Sequence, residues 1–357
     1  MLRSSDFDEL PKYTVYRDRF RQIAVANKFD ILSQPVSGQG PFLRELKSDL
    51  TIDFAFINQN APVTLVHLSG VHGVEGYLGS DIQNEIMSKI PLRNLSCNFV
   101  FVHAVNPYGM SWYRRANAQN VDLNRNGREN FHPVESEKDF QRFQDFLSSK
   151  NGLSFYAHLG RAIIVAAQIG RRNTAQAIAC GQYSYPDSLF YGGDRTQFEV
   201  EVLIDTLFGI APETHEWIFL DVHSGLGKWK QELLILDGLS TPKEYEFFYD
   251  AHKAPLIVPG KTKDVYLAHG MLSNIIKKRL SNVCYLTQEF GTDHFLKIIR
   301  NLILENSHWH QKRNQLSVPI AQNMVNSFYP SDQAWRKSCL SLGRQRYHEI
   351  LHRLRLI

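Results

Sequence analysis

Two residues with metal-binding side chains, His72 and Glu75, stand three positions apart in the segment GVHGVEG (residues 70–76). The run VTLVHL (residues 63–68) before them is apolar and β-branched, which predicts a buried strand that ends in a glycine-rich loop. Polar residues of such a loop lie at the carboxyl edge of an α/β sheet, where ligands bind. Catalytic zinc sites commonly combine two histidines with one glutamate. The pair can therefore supply part of a zinc site, although a lone His-x-x-Glu is also common in ordinary polar loops.

Three later segments also carry residues that could do chemistry. They are NPYGMSWYRRANAQNVDLNRN (residues 106–126), FLDVHSG (219–225) and LTQEFGT (286–292). In this order, the four segments resemble the motifs of the zinc carboxypeptidase (M14-like) superfamily, and in particular its bacterial DUF2817 branch. Proteins like succinylglutamate desuccinylase and aspartoacylase are related to the same superfamily. The resemblance extends over roughly residues 60–300.

The resemblance implies a metal centre and a general base. His72 and Glu75 match the family's His-x-x-Glu, and His223 matches its third ligand, so that the three would hold one Zn²⁺ per chain. Asp122 matches the aspartate that orients a zinc-bound imidazole. Glu289 matches the glutamate that takes a proton from the attacking water and passes it to the leaving amine. Each of these residues, considered alone, could have a purely structural role, as a buried histidine, a turn aspartate or a solvated glutamate at a strand end. The order of the four motifs favours the catalytic roles.

The resemblance also implies an anion-recognition site. Arg125 matches the arginine that pairs with the terminal carboxylate of the substrate, and Asn124 supports it; a guanidinium fork suits a carboxylate. Arg115 matches the arginine that stabilises the oxyanion, with Arg114 as the alternative. Tyr266 is the candidate for the tyrosine that closes over the substrate, although a core or surface tyrosine is an equal alternative at that position.

The implied activity is that of a zinc-dependent metallohydrolase that cleaves an amide bond next to a free carboxylate. A metallocarboxypeptidase is the first hypothesis. The alternative is a deacylase of N-acyl amino acids, or an amidohydrolase, of the aspartoacylase type, which the glycine-rich context of residues 72–76 favours. The substrate would be a peptide or an acyl amino acid. Tyr108 stands where the family usually has aspartate, which bears on the pocket but not on the catalytic set. A non-catalytic binding protein is a third possibility, against which the complete set of ligands and base argues.

The order of predicted elements indicates the fold. Strands alternate with helices, which predicts an α/β fold with a mixed, largely parallel central sheet and helices on both faces, as in zinc carboxypeptidases. We expect an N-terminal extension at residues 1–60, packed on a catalytic domain at residues 61–357. A long loop is expected at residues 180–195. Helices are predicted at 13–29, 75–87, 135–147, 157–169 and 197–208, and strands at 50–57, 63–68, 98–104, 217–222, 233–236 and 284–289.

Composition limits the class of protein. A hydrophobic content of 43% and a charged content of 21% are ordinary for a globular protein. The four cysteines fit no metal or disulfide spacing, so buried free thiols in a reducing cytoplasm are expected. The chain begins without an apolar leader and has no run of apolar residues that would span a membrane. The basic stretch at 336–355 is interpreted as the solvated side of a terminal helix, so no nucleic-acid or membrane partner is predicted.

Overall fold

The structure, a computed structural model, describes residues 10–36, 50–148, 152–237, 239–248, 255–257, 268–312 and 315–356. In these residues eight strands form one sheet in the order β1-β2-β4-β3-β5-β8-β6-β7. The strands are β1 (Asp30–Val36), β2 (Leu50–Ile57), β3 (Val63–Ser69), β4 (Asn98–His103), β5 (Glu216–Ser224), β6 (Glu232–Ile235), β7 (Leu256–Ile257) and β8 (Val283–Phe290).

The centre of the sheet is parallel. β4, β3, β5 and β8 run in one direction as neighbours, while β2 and β6 pair antiparallel with the two outer members of this group. The carboxyl ends of β3, β5 and β8 therefore meet at one edge, where open α/β sheets bind ligands. The predicted fold class, an α/β fold with a mixed and largely parallel sheet, is confirmed.

Helices cover both faces of the sheet. α1 (Tyr13–Ala26) and α12 (Gln333–Arg353) pack against α2 (Gly76–Lys89) on one face, and α7 (Phe198–Ile210), α8 (Pro242–Phe248) and α9 (Leu272–Arg279) lie on the other. The remaining helices are α3 (Pro107–Ser111), α4 (Glu137–Arg142), α5 (Gln144–Leu147), α6 (Gly152–Ala179), α10 (Phe295–Gln311) and α11 (Val318–Phe328). No helix in the described ranges combines the length and the apolarity needed to cross a membrane.

Element bounds differ from the predictions at identifiable places. The predicted helix 13–29 ends at Ala26, and Lys28 has a positive φ of 62° that a helix cannot continue. The predicted helix 135–147 is two short helices that meet at Phe143. β1 is not predicted, since its sequence contains Pro35 and lacks apolar alternation. It lies at the edge of the sheet, where a proline costs no ladder hydrogen bond.

Four further predictions concern features outside the catalytic motifs. Residues 181–196 form no helix or strand longer than an isolated bridge, as expected for the loop. All four cysteines are buried and free, which confirms the expected thiols. The division at residue 60 stays a prediction; β1 and β2, which precede it, belong to the same sheet as the later strands. The cytoplasmic location also stays a prediction.

Candidate metal centre and active-site cavity

The implied metal ligands come from two adjacent strand ends. Two residues separate the end of β3 at Ser69 from His72, and Glu75 ends a single 3₁₀ turn that spans Gly73–Glu75. His223 is the penultimate residue of β5, and it stands opposite Glu289 of β8 in the parallel register. The alternation of strand side chains and the tight turn thus direct four side chains from distant parts of the sequence to one point.

The ligand atoms of His72, Glu75 and His223 are mutually close. Glu75 Oε1 lies 3.0 Å from His72 Nδ1, and Glu75 Oε2 lies 3.0 Å from His223 Nδ1. The two Nδ1 atoms are also 3.0 Å apart, and all three side chains are buried. Across the described ranges, this is the group of histidine, cysteine and acidic residues whose arrangement could hold a metal ion.

The environment of the two imidazoles fits a cation. His72 Nε2 lies 3.3 Å from Asp122 Oδ1, and His223 Nε2 lies 2.8 Å from Asp221 Oδ2. A carboxylate beside each Nε2 favours an N–H at that nitrogen, so the Nδ1 lone pairs of both rings turn toward Glu75. Two imidazole nitrogens and one carboxylate are the ligand set of a catalytic zinc site with one open position.

The pKa shifts of the cluster are consistent with a site for a cation. Burial by itself lowers the pKa of His223, but the carboxylates of Asp221 and Glu75 outweigh it and raise that pKa well above its usual value. Burial by itself raises the pKa of Glu75, yet the charges of His72 and His223 hold it well below its usual range. The site therefore favours positive charge between these side chains, which a divalent cation would supply.

Asp221 is a hydrogen-bond partner of His223 that was not predicted from the sequence. Its Oδ2 accepts hydrogen bonds from His223 Nε2 and from the hydroxyl of Tyr285, both at 2.8 Å. A signal was present, because residues two apart on a strand share a face and Asp-x-His on β5 places the carboxylate beside the imidazole. Asp122 has the corresponding position beside His72, as the resemblance implies.

Glu289 lies at the same edge of the sheet, and the pKa of its carboxyl group is raised. Leu226 N donates a 2.9 Å hydrogen bond to Glu289 Oε1. Burial raises the pKa of Glu289 to about 8, and the neighbouring charge of Glu75 acts in the same direction. A carboxyl group with a pKa near neutrality can take up and release a proton under physiological conditions, which suits a general base.

Arg115 and Arg114 occupy different environments. Arg115 lines the cavity; its Nε donates to Asp122 Oδ2 at 2.8 Å, and its Nη1 lies 3.8 Å from Glu75 Oε1. Arg114 is buried elsewhere, with its Nε on Glu305 Oε1 at 2.5 Å and its guanidinium 4.0 Å from the ring centre of Trp309. The structure therefore places Arg115 at the site and Arg114 in a supporting ion pair.

Arg125 is held in place by backbone carbonyls. Its Nε and Nη2 donate to Ala179 O, and its Nη1 donates to Asn124 O at 2.7 Å. Three of its five N–H groups are thus used, which leaves one on each terminal nitrogen for a carboxylate fork. Gly181, at φ +102°, makes room for the side chain, since a Cβ there would lie 2.6 Å from Arg125 Cδ.

Asn124 and Tyr266 are the remaining candidate site residues. Asn124 lines the cavity and its Oδ1 accepts from Leu272 N at 3.0 Å, which fixes the turn that carries Arg125. Tyr266 lies outside the described residues. Tyr108, the departure from the family motif, does not line the cavity; its hydroxyl accepts a hydrogen bond from Trp309 Nε1 at 3.1 Å. The replacement of the family's usual aspartate by Tyr108 therefore affects packing outside the cavity.

The cavity has a volume of about 150 Å³ and two kinds of wall. One wall is polar and holds the residues discussed above. The other wall is apolar and was not predicted, because its residues come from helices, loops and the end of β6, which carry no motif. Apart from Phe190, which lies beside Arg115 and Arg125, its larger members are Leu226, Ile235, Met271, Phe295, Ile298, Ile299, Leu302 and Phe328.

Fold and site together define an α/β protein with a buried His-Glu-His cluster at the carboxyl edge of its sheet. The sequence profile of the family described as "Protein of unknown function (DUF2817)" matches residues 10–342, and the chain belongs to this family. This confirms the family branch indicated by the motifs. No curated protein sequence matches the chain.

Several solved structures are similar to the chain at low sequence identity. Carboxypeptidase A from Helicoverpa armigera is 13% identical, with a TM-score of 0.45 over 95% of this chain and 74% of that chain. Bovine thrombin-activatable fibrinolysis inhibitor, solved with tick carboxypeptidase inhibitor, is 11% identical, with a TM-score of 0.48 over 97% and 99%. Succinylglutamate desuccinylase/aspartoacylase from Rhodobacter sphaeroides is 13% identical, with a TM-score of 0.40 over 79% and 64%. These similarities assign no activity to the chain.

Proposed function

We propose that the protein is a zinc-dependent hydrolase that cleaves an amide bond next to a free carboxylate, acting as a metallocarboxypeptidase. The observation that carries this proposal is the convergence of three kinds of group on one cavity: a ligand set for a cation, a carboxyl group suited to act as a base, and two arginines. A protein that only bound a metal would not need the base and the two guanidinium groups around it.

His72, Glu75 and His223 would hold the metal. When bound there, Zn²⁺ supplies Lewis-acid chemistry: it polarises the carbonyl to be attacked and makes water easier to deprotonate. Asp122 and Asp221 keep the two imidazoles in the orientation that this requires, through their contacts with the Nε2 atoms.

Glu289 would move the proton. Its carboxylate takes a proton from the attacking water, and the resulting acid delivers this proton to the amine that leaves. Its pKa of about 8 makes both steps accessible near neutral pH, and the hydrogen bond from Leu226 N holds one oxygen in place. The second oxygen would then be the one that accepts the proton.

The two arginines would divide the anionic groups of the substrate between them. Arg115 lies 3.8 Å from a ligand oxygen of Glu75 and is oriented by Asp122, so it is placed to stabilise the oxyanion that forms on the attacked carbonyl. Arg125 offers one N–H from each terminal nitrogen to the substrate carboxylate, with Asn124 fixing the turn beside it.

We also propose that residues 61–357 form the catalytic domain and that residues 1–60 are an extension packed on it. In support, each described residue that lines the cavity lies after residue 60. A chain without the first 60 residues that still folds and binds zinc would favour this division. An unfolded chain would contradict it, since β2 hydrogen-bonds to β4 and its loss exposes that strand.

The test of the activity is mass-spectrometric detection of products from the zinc-loaded protein. The substrate pool contains peptides with free C-termini, the same peptides with amidated C-termini, and N-acyl amino acids. We expect release of single C-terminal residues from the free peptides alone. Deacylation with intact peptides would instead support the aspartoacylase-type alternative, and cleavage of amidated peptides would remove the role given to Arg125.

A further inference from the structure

Four of the eight larger residues of the apolar wall lie on one face of α10. Phe295, Ile298, Ile299 and Leu302 recur three and four positions apart, so they lie on the same side of the helix. Phe295 is 47% exposed at the mouth, whereas Ile298 is 7% and Leu302 is 2% exposed. The wall therefore runs from the solvent into the interior as one continuous apolar surface.

This wall begins immediately beside the metal centre. Gly225 follows His223 by two residues and lies just beyond the end of β5. A Cβ at Gly225 would be 3.0 Å from Phe328 Cε1 and 3.9 Å from Ile298 Cδ1. A substrate placed with its scissile bond at the cluster would therefore have an apolar surface within one side chain's reach.

No ionisable residue among the described cavity-lining residues belongs to α10. Of the described residues that line the cavity, the ionisable ones are His72, Glu75, Arg115, Arg125, His223 and Glu289. Each of these has a place in the proposed chemistry. A charged substrate side chain directed at α10 would lose its hydration without gaining a partner, which is unfavourable.

We propose that the α10 face is a specificity subsite for an apolar side chain, branched aliphatic or aromatic, on the residue whose carboxylate Arg125 binds. The identity of this residue rests on the proposed function, because that function places the carboxylate at Arg125. The preference for an apolar side chain rests on the wall itself. The substrate class is thus a peptide that ends in a residue such as leucine or phenylalanine.

A matched series of substrates tests the preference. N-acylated dipeptides ending in leucine, phenylalanine, glycine, lysine and aspartate are compared by kcat/KM with the zinc-loaded full chain. We expect leucine and phenylalanine to exceed glycine by about 10- to 200-fold, and lysine and aspartate to fall at or below glycine. A preference for lysine or aspartate would overturn the subsite while leaving the hydrolase in place.

A binding measurement separates the subsite from the activity. Titration calorimetry uses the same protein with 4-methylpentanoate, 6-aminohexanoate and succinate, which carry the carboxylate and the side chains of leucine, lysine and aspartate but contain no amide bond. Selective binding of 4-methylpentanoate in a protein that hydrolyses nothing would support the subsite and contradict the proposed function. Equal affinities for the three compounds, or no binding of any, would overturn the subsite.

A charge placed on the wall should change the preference. Ile298→Asp should lower kcat/KM for the leucine substrate by about 100-fold and raise the relative rate for lysine. The control is Leu296→Asp on the same helix, where the side chain is 51% exposed and does not line the cavity; its kinetics should stay within about twofold. If Ile298→Asp does not fold by circular dichroism, Ile298→Val replaces it and should shift the preference from leucine toward phenylalanine. An unchanged ratio in the folded variant would overturn the subsite.

Discussion

The two walls of the cavity differ in how their residues are held. On the polar wall, hydrogen bonds and ion pairs orient each functional side chain: Arg115 is tied to Asp122, and Arg125 to Ala179 O. On the apolar wall, the side chains of Ile298 and Phe328 have no polar atoms and are positioned by packing in the core. Orientation by hydrogen bonds is directional, whereas packing specifies volume and shape.

This difference suggests a division of labour within one site. A substitution on the polar wall removes a group with a defined direction, and we expect it to act on metal binding or on kcat. A substitution on the apolar wall alters the space available to the substrate, and we expect it to act on selectivity. The variants below can strengthen or remove this distinction, and they run from the largest expected effect to the smallest.

His223→Ala should have the largest effect, since it removes one of three metal ligands. We expect zinc affinity to fall by more than about 100-fold, because the loss of an orienting partner alone accounts for about 10- to 100-fold. Zinc content after dialysis against a chelator is the measurement, with His215→Ala on the surface as control. Full zinc retention in His223→Ala would contradict the metal centre.

Glu289→Gln should reduce kcat by about 10²- to 10⁴-fold while zinc remains bound. The amide can still accept the hydrogen bond from Leu226 N, so the local fold should persist. Steady-state kinetics and zinc content are measured on the same sample, with the exposed Glu213→Gln as control. An active variant would remove the proton-transfer role from Glu289.

Arg115→Met and Arg114→Met should separate two neighbouring arginines. Arg115→Met should lower kcat by about 10²- to 10³-fold, the range for loss of an oxyanion donor. Arg114→Met leaves Glu305 buried without its partner, so the free energy of unfolding should drop by about 3–5 kcal/mol. Kinetics and urea unfolding on both variants are the measurements, and a reversed pattern would exchange the two assignments.

Asp221→Asn should have the smallest effect of the four. The amide can still accept one hydrogen bond but no longer carries the charge that favours a cation, so zinc affinity should fall by about 10- to 100-fold. Tyr285→Phe keeps the carboxylate and removes one donor, so its effect should be weaker. Competition with a chromogenic chelator measures both, and equal effects of the two variants would argue against a role for the Asp221 charge.

Much of the fold could be predicted from the sequence, because strands and helices follow from local patterns. β2 has the predicted bounds, and β3, β4, β5 and β8 lie within two residues of theirs. β1 was missed because an edge strand needs no apolar alternation and tolerates Pro35. The position of the polar site residues could also be predicted, because they follow strand ends and tight turns, which orient side chains through local backbone geometry.

By itself, then, the sequence determined which residues could do chemistry and at which edge of the sheet they would meet. Only the tertiary structure decided which arginine faces the cavity, which carboxylate supports His223, and which residues form the apolar wall. Arg114 and Arg115 are adjacent in the chain, and their separation depends on where Glu305 and Trp309 of α10 lie. The apolar periodicity of α10 would be the same if this helix packed against other helices with no cavity between them. Periodicity shows that a helix face is buried but not what it is buried against.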